Sequence, residues 1–376
     1  MMDWKQKWET DQRVMYEMMN SLVSDSAQVM RELQSTRAQL EAMMVLKYET
    51  EQRPDRQTQE SIKLMNSMMG TVVRATSTTV QKLPPWFMSS DELKFEKEAF
   101  ARGSFATVHN ERAKQQIEKE INLWHKFNNP NVIRMFGASH VSSPAFVVCE
   151  DATNGDLCSY LARSEGNKQH MWRLLYQAGL GLNYIHTMKV VHGDLKLNNV
   201  HVGADGLAKL SDFGLSAVRN SSGFKTAAGA AIHAGALRWR APECLKKSPT
   251  FASDVYSFAM CMIEAVLGNP PFASLDDDSV RELLKHGEIP ERPDDMPDEA
   301  WNLVLSMTNV DATKRPGLGQ VLTKLKALAD DEANNYGLGD APITSDQTYS
   351  YVKQSGSASV TVRGSQTRSR ETRSRW

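Results

Sequence analysis

The strongest constraint on this chain is a run of eight residues, His192 to Asn199 (HGDLKLNN), followed after twelve intervening residues by Asp212-Phe213-Gly214. These segments hold an aspartate able to receive a hydroxyl proton (Asp194) and a lysine able to meet a phosphate (Lys196). They also hold an asparagine and a second aspartate able to bind magnesium (Asn199, Asp212). Each alone reads as an ordinary turn-capping or surface residue. In this order and spacing they read as one site, because such groups do chemistry only where they converge on a shared ion and anion.

The bulk properties narrow the setting. A chain of 376 residues holds two domains, or one large domain with appendages. Its net charge of −1 and pI near 6.8 give no general attraction to nucleic acid or an acidic membrane. The N-terminal MMDWKQKWETD is charged and lacks an apolar core, unlike a signal peptide. The most apolar stretch, Phe258 to Leu267, is ten residues long and carries Glu264, too short and too polar to span a bilayer. The four cysteines (149, 158, 244 and 261) show no CxxC spacing, which argues against zinc or a disulfide framework. A cytoplasmic protein is expected, with no nucleic-acid or membrane partner.

Three regions follow one another. Residues 1–80 read as helical, with a heptad stripe of Met15, Met19, Leu22, Val29, Leu33, Leu40 and Met43, which Ser26 and Thr36 interrupt. Such a stripe over residues 15–43 serves self-association or a partner helix, or else folds back on its own domain. Twelve of the nineteen methionines fall in residues 1–90, and methionine packs without fixing a unique geometry. Pro54 ends or kinks this helix, and Leu83-Pro84-Pro85-Trp86 marks a linker over 81–92. From 93 to 330 the pattern is mixed. Strands are expected at Val132–Phe136 and Ala145–Cys149, and helices at Met171–Met188, Ser253–Leu267 and Asp298–Met307. Few strands first and helices afterwards give an α+β, two-lobed unit rather than alternating βαβ. Residues 335–376 are rich in Gly, Ser, Thr and Arg and end in the near-duplicate TRSRE and TRSRW, a composition expected to stay disordered. Its Arg-Ser pairs would suit a phosphorylatable or anion-binding tag.

Taken together, the motifs resemble a eukaryotic protein kinase domain over residues 93–330, most like the tyrosine-kinase-like serine/threonine branch. That resemblance implies a truncated β N-lobe, a helical C-lobe, ATP and Mg2+ as cofactors, and a protein substrate. It makes Asp194 the catalytic-loop aspartate and Lys196 the lysine that neutralises the transferring phosphoryl. Asn199 and Asp212 become the magnesium ligands. Glu150 and Ala152 match the hinge that meets the adenine edge, Cys149 the gatekeeper, and Asp156 the acidic group that reaches the ribose. Ala241-Pro242-Glu243 closes the activation segment, with Arg315 as the glutamate's partner. Asp254 matches the aspartate that braces the catalytic loop from below.

The departures cluster upstream. Gly193 stands where the family commonly has arginine, and Ala236 where many members have threonine. His201 takes the place of the aliphatic floor of the adenine pocket, facing away from Val200 and Val202 in an alternating strand. ARGSFATV aligns with the glycine-rich loop through Ala101, Gly103 and Val108, yet only Gly103 survives of the usual three glycines. Glu120 fits the glutamate of the first N-lobe helix, but it lies only twelve positions after Val108. Twelve residues span about 18 Å as helix or about 40 Å as strand, too little for the family's strand–strand–helix path. A deletion across strands β2–β3, and with it the lysine of β3, is therefore expected. Lys114 and Lys119 sit in a surface-helix pattern and make poor substitutes.

Three readings follow: a serine/threonine kinase of impaired turnover, a pseudokinase scaffold acting in signalling through protein contacts, and a coiled-coil interaction protein with a kinase remnant.

Overall fold

The computed structural model describes residues 36–52, parts of 59–69, 83–88, 93–95, 118, 121–139, 146–212, 234–337 and 360–362. The chain divides into two compact units, one drawn from its N-terminal part with residues 136–148 and 354–376, the other from 110–135 and 149–353.

In the first unit, a helix runs from Thr36 to Gln52 and stops two residues short of Pro54. Met43, Met44, Val45 and Leu46 are buried at four consecutive positions, so this part of the helix is covered on more than one face. Met44 packs with Leu83 and Phe87, and the Tyr48 ring meets Phe87 edge-on at 5.8 Å. The heptad positions from 15 to 35 lie outside the described residues. Pro84 to Phe87 form a turn closed by the Phe87 N–H on the Pro84 carbonyl (3.0 Å), as paired prolines dictate. That turn is no bare linker, because Trp86 is buried and Phe87 bridges Ala138 in parallel register. Met135–Ser139 pairs with Phe146–Cys149 in a two-stranded sheet. Leu93–Phe95 pairs in parallel with Val360–Val362, whose β-branched valines suit a strand.

The second unit holds the main core. Helices occupy Leu157–Ala162, Glu165–Lys168, Met171–Thr187, Phe251–Leu267, Asp277–His286, Asp298–Met307 and Leu318–Tyr336. The Met171–Thr187 helix buries Leu174, Leu175, Ala178, Leu182 and Ile185 at helical spacing and packs on the Leu318–Tyr336 helix. On another side it lies so close to Asn131 that Gly181 has no room for a side chain: a Cβ would stand 2.2 Å from the Asn131 carbonyl oxygen. The Phe251–Leu267 helix starts at a capping box between Thr250 and Ser253 and ends on left-handed Gly268. It is buried nearly all round, which makes it the axis of the core. Val200–Val202 and Ala208–Leu210 form an antiparallel hairpin with His201 opposite Lys209.

The three expected helices form, the core helix starting two residues early at Phe251 and the first ending one residue early at Thr187, and two further boundaries move. The strand expected from Val132 begins at Met135, because Val132 donates its N–H to Asn129 and bridges Leu210 instead. The last helix continues through 330 and 335 to Tyr336, where Gly337 turns left-handed and ends it. The folded unit thus runs past the expected boundary at 330, and the expected tail begins inside a helix. Burial of Glu332 explains the extension, since both its oxygens accept from the other end of the core, the Trp172 N–H (2.9 Å) and the Arg173 N–H (3.0 Å). No helix among the described residues is long and apolar enough to cross a membrane.

Candidate active site

The site is built upward from Asp254 in the first turn of the core helix. Its carboxylate accepts from the His192 N–H (2.7 Å), the Gly193 N–H (2.9 Å) and His186 Nε2 (2.8 Å). Three contacts at a side chain that is 1% exposed fix the backbone just ahead of Asp194. Gly193 holds a left-handed φ of +73°, a conformation that costs other residues energy, so glycine relieves strain where the family usually carries arginine. His192 is fully buried, and burial holds its imidazole below the usual range, leaving Nδ1 to accept from the Asp194 N–H (3.4 Å).

Asp194, Lys196 and Asn199 share one short loop. Asn199 Nδ2 donates to the Asp194 carbonyl (2.7 Å) and to Asp194 Oδ2 (3.2 Å), while Lys196 Nζ stands 3.7 Å from the same Oδ2. The loop closes as a single 3-10 turn, Leu197–Asn199, and runs into the hairpin strand. The hairpin then returns the chain: the Ser211 N–H donates to the Asn199 carbonyl (2.9 Å), and its hydroxyl reaches the same oxygen at 3.3 Å. Asp212 follows directly, exposed and at a left-handed φ of +55°, which an aspartate tolerates better than most residues. The structure therefore draws together Asp194, Lys196 and Asn199 and ties the chain at Asp212 to Asn199.

The segment from Glu150 to Asp156, which the resemblance matches to a hinge, is joined to the same hairpin. Val202 N–H donates to the Gly155 carbonyl (2.9 Å), Asn154 Nδ2 to Gly203 (2.8 Å), and Asp156 bridges His201. His201 is half-buried between Val200 and Val202, and burial lowers its pKa, favouring the neutral ring. Glu150 accepts from Lys209, which also meets Asp205 at 2.9 Å. Burial alone would lower the Lys209 pKa, but those two carboxylates raise it, so the buried ammonium stays charged. Asp156 caps the Leu157–Ala162 helix, its two oxygens taking the Ser159 N–H (2.9 Å) and hydroxyl (2.8 Å). Cys149 is exposed and Ala152 half-buried. Ala101, Gly103, Val108 and Glu120 lie outside the described residues.

Two supports were not visible in the motifs. Glu264, 1% exposed in the core helix, takes the Leu197 N–H (3.1 Å) and Trp239 Nε1 (2.8 Å) on one oxygen, Oε2. It thereby links the turn between Lys196 and Asn199 to the segment before Ala241. Burial pushes its pKa up to about 7, against the pull of those donors and of Lys196. The only sequence signal was a lone carboxylate in an otherwise apolar helix. Lys209 is the second, a buried cation that its flanking strand residues do not announce. The Glu243–Arg315 pair, by contrast, forms as the resemblance implied, bidentate at 2.6 and 2.8 Å, with Arg315 also over the Tyr256 ring at 5.1 Å.

Comparison with known proteins gives this arrangement its class. Residues 94–325, well over half of the chain, match the family model for protein tyrosine and serine/threonine kinases. The chain belongs to that protein kinase family. It is similar to mitogen-activated protein kinase kinase kinase 1a of Physcomitrium patens, with 28% identity over 66% of this chain and 35% of the relative. It is also similar to the tyrosine-protein kinase transforming protein Fps of avian sarcoma virus (strain PRCII), with 29% identity over 57% of this chain and 41% of the relative. A probable serine/threonine-protein kinase of Dictyostelium discoideum is 28% identical over 57% of this chain and 42% of its own length. The chain thus spans well under half the length of each of these relatives.

Proposed function

We propose that this chain is a serine/threonine protein kinase of the tyrosine-kinase-like branch, transferring the γ-phosphoryl group of ATP to a protein hydroxyl with lowered turnover. The observation that carries the reading is the contact of Asn199 and Lys196 with one oxygen of Asp194. Asp194 would accept the proton of the incoming hydroxyl, and Lys196 would offset charge on the moving phosphoryl. A cytoplasmic setting fits the cysteine usage.

The residues suit magnesium. Because the Asn199 nitrogen faces Asp194, its amide oxygen is left as a hard acceptor, the type that magnesium takes alongside a carboxylate such as Asp212. Bound magnesium would neutralise charge between phosphates. The chain's own part is to fix Asp194 through Asp254 and to hold Asn199 against it.

The offset of only twelve positions from Val108 to Glu120 favours a second reading, a pseudokinase scaffold that binds partners without transfer. Loss of one phosphate-directed charge from a shielded cleft costs about 10²-fold or more in turnover. The two readings part on one experiment: transfer of labelled phosphate from ATP with Mg2+ to a generic basic protein, with Asp194→Asn as control. Transfer that the control abolishes supports the kinase; equal signals from both refute it.

A further inference from the structure

The segment before Ala241-Pro242-Glu243 carries two arginines with opposite fates. Arg238 is tied down: Nη1 donates to the Pro271 carbonyl (3.3 Å) and to Phe272, and Nη2 to Leu275 (2.6 Å) and Asp277 Oδ1 (3.3 Å). That fork anchors the turn to the loop after the core helix. Arg240, two residues on, is also half-buried, yet among the described residues its guanidinium makes no hydrogen bond or ion pair. It lines a cavity with Gly193, Asp194, Cys244, Ser253, Asp254 and Ser257, and the Asp254 carboxylate is already taken up by the His192 and Gly193 N–H groups and by His186.

The charges around that cavity leave Arg240 underserved. Burial weighs first against its charge; Asp194 favours it, and the charge of Arg281 on the Asp277–His286 helix opposes it. Asp194 is shared with Lys196 and Asn199, so it is no dedicated partner. Cys244 contributes no thiolate, since burial raises its pKa. The two serines are neutral. A guanidinium drawn partly out of water, with five donors and no acceptor, is stabilised most by an anion that arrives from outside.

We propose that Arg240 is a specificity-determining residue that selects protein substrates with an acidic side chain close to the acceptor hydroxyl. The inference rests on the kinase reading above for the acceptor's position at Asp194. Both groups line that cavity, so a peptide whose hydroxyl meets Asp194 would carry its neighbouring side chain toward Arg240. A basic neighbour would instead meet Arg240 and Arg281 with like charge. Arg238 cannot serve in its place, because its donors are already engaged.

The test measures binding apart from transfer. Two labelled peptides, identical around a central serine except for flanking Glu or flanking Lys, are titrated into the full chain and followed by anisotropy. The Glu peptide should bind about fivefold to tenfold more tightly, the range of one partly shielded charge-assisted contact. Arg240→Gln should erase the difference and Arg240→Lys retain most of it, so the pair of variants separates charge from folding. Excess inorganic phosphate should compete weakly if the site reads a peptide; full displacement by phosphate, or equal binding of both peptides, or no binding of either, overturns the proposal. Persistence of the Glu preference in Arg240→Gln does so as well. Phosphoryl transfer to the same peptides is scored separately: loss of transfer with the Glu preference intact refutes the catalytic reading and leaves the recognition by Arg240 standing.

Discussion

Gly181→Ala tests whether close packing of the Met171–Thr187 helix positions the chain that leads to Asp212. A methyl group there would stand 2.2 Å from the Asn131 carbonyl oxygen and 3.1 Å from its carbon. Helix propensity by itself favours alanine by about 1 kcal/mol. Against that, an ordinary carbon–oxygen approach is about 3.3 Å, so backbone must move by about an ångström. Overpacking of this kind costs about 1–3 kcal/mol. The Asn131 carbonyl also accepts the Leu210 N–H at 2.9 Å, and the Asn131 amide donates to Ala208 at 2.9 Å. Loosening one of these adds about 1 kcal/mol. The balance is a loss of about 2 kcal/mol, or about 4–8 °C in Tm for a unit of this size. Leu210 lies two residues before Asp212, so on the kinase reading proposed above magnesium-dependent nucleotide affinity should fall too. Melting followed by circular dichroism reads the first effect and nucleotide titration the second. Gly319→Ala is the matched control, since a Cβ there meets nothing within 4 Å, and it should stabilise by about 0.5–1 kcal/mol. A Gly181→Ala protein that melts at or above the parent temperature would refute the reasoning.

Three further outcomes follow from buried charges. Burial raises the Glu264 pKa from 4.5 to about 7, so between those values the folded chain keeps a proton that the unfolded chain has released. Stability therefore falls as pH rises through that window and levels off above it, by about 3 kcal/mol for this group. Glu264→Gln keeps one oxygen for both donors and should flatten part of that slope in urea titrations run from pH 4.5 to 8. Glu332→Gln differs, because its two oxygens serve two separate N–H donors and the amide can satisfy only one. A loss of about 1–2 kcal/mol of unfolding free energy, read as a lower urea midpoint at pH 8, is expected, with an unchanged midpoint counting against the cap. Arg315→Lys breaks the fork to Glu243 and the contacts with Ala252 and Asn309, and should cost about 3 kcal/mol by the same measurement.

The proximity of Asp194, Lys196 and Asn199 was legible because it is local: they lie within six residues, and a single turn brings them together. Asp254 and the Glu243–Arg315 pair were legible through the family resemblance, which supplies long-range pairing that periodicity lacks. Glu264 escaped notice because a carboxylate in an apolar run looks like a flaw in a hydrophobic helix until its donors, Leu197 and Trp239, are in view. Glu332 escaped for a related reason, its partners lying 160 and 159 residues away. The heptad rhythm of residues 15–43 carries no information on what covers it. In the helix from Thr36, burial at four consecutive positions reflects contacts that a stripe count could not foresee.

The Glu332 contact means that the final helix does more than finish the domain. It closes a ring of sequence in which the last turn supplies the electrostatic start of a helix laid down far earlier, one that itself flanks the strand leading to Asp212. A shortened version ending near residue 325, where family-level similarity stops, would leave the opening peptides of that earlier helix bare. Shuffling this module between proteins would have to carry the extra eleven residues to Tyr336 with it.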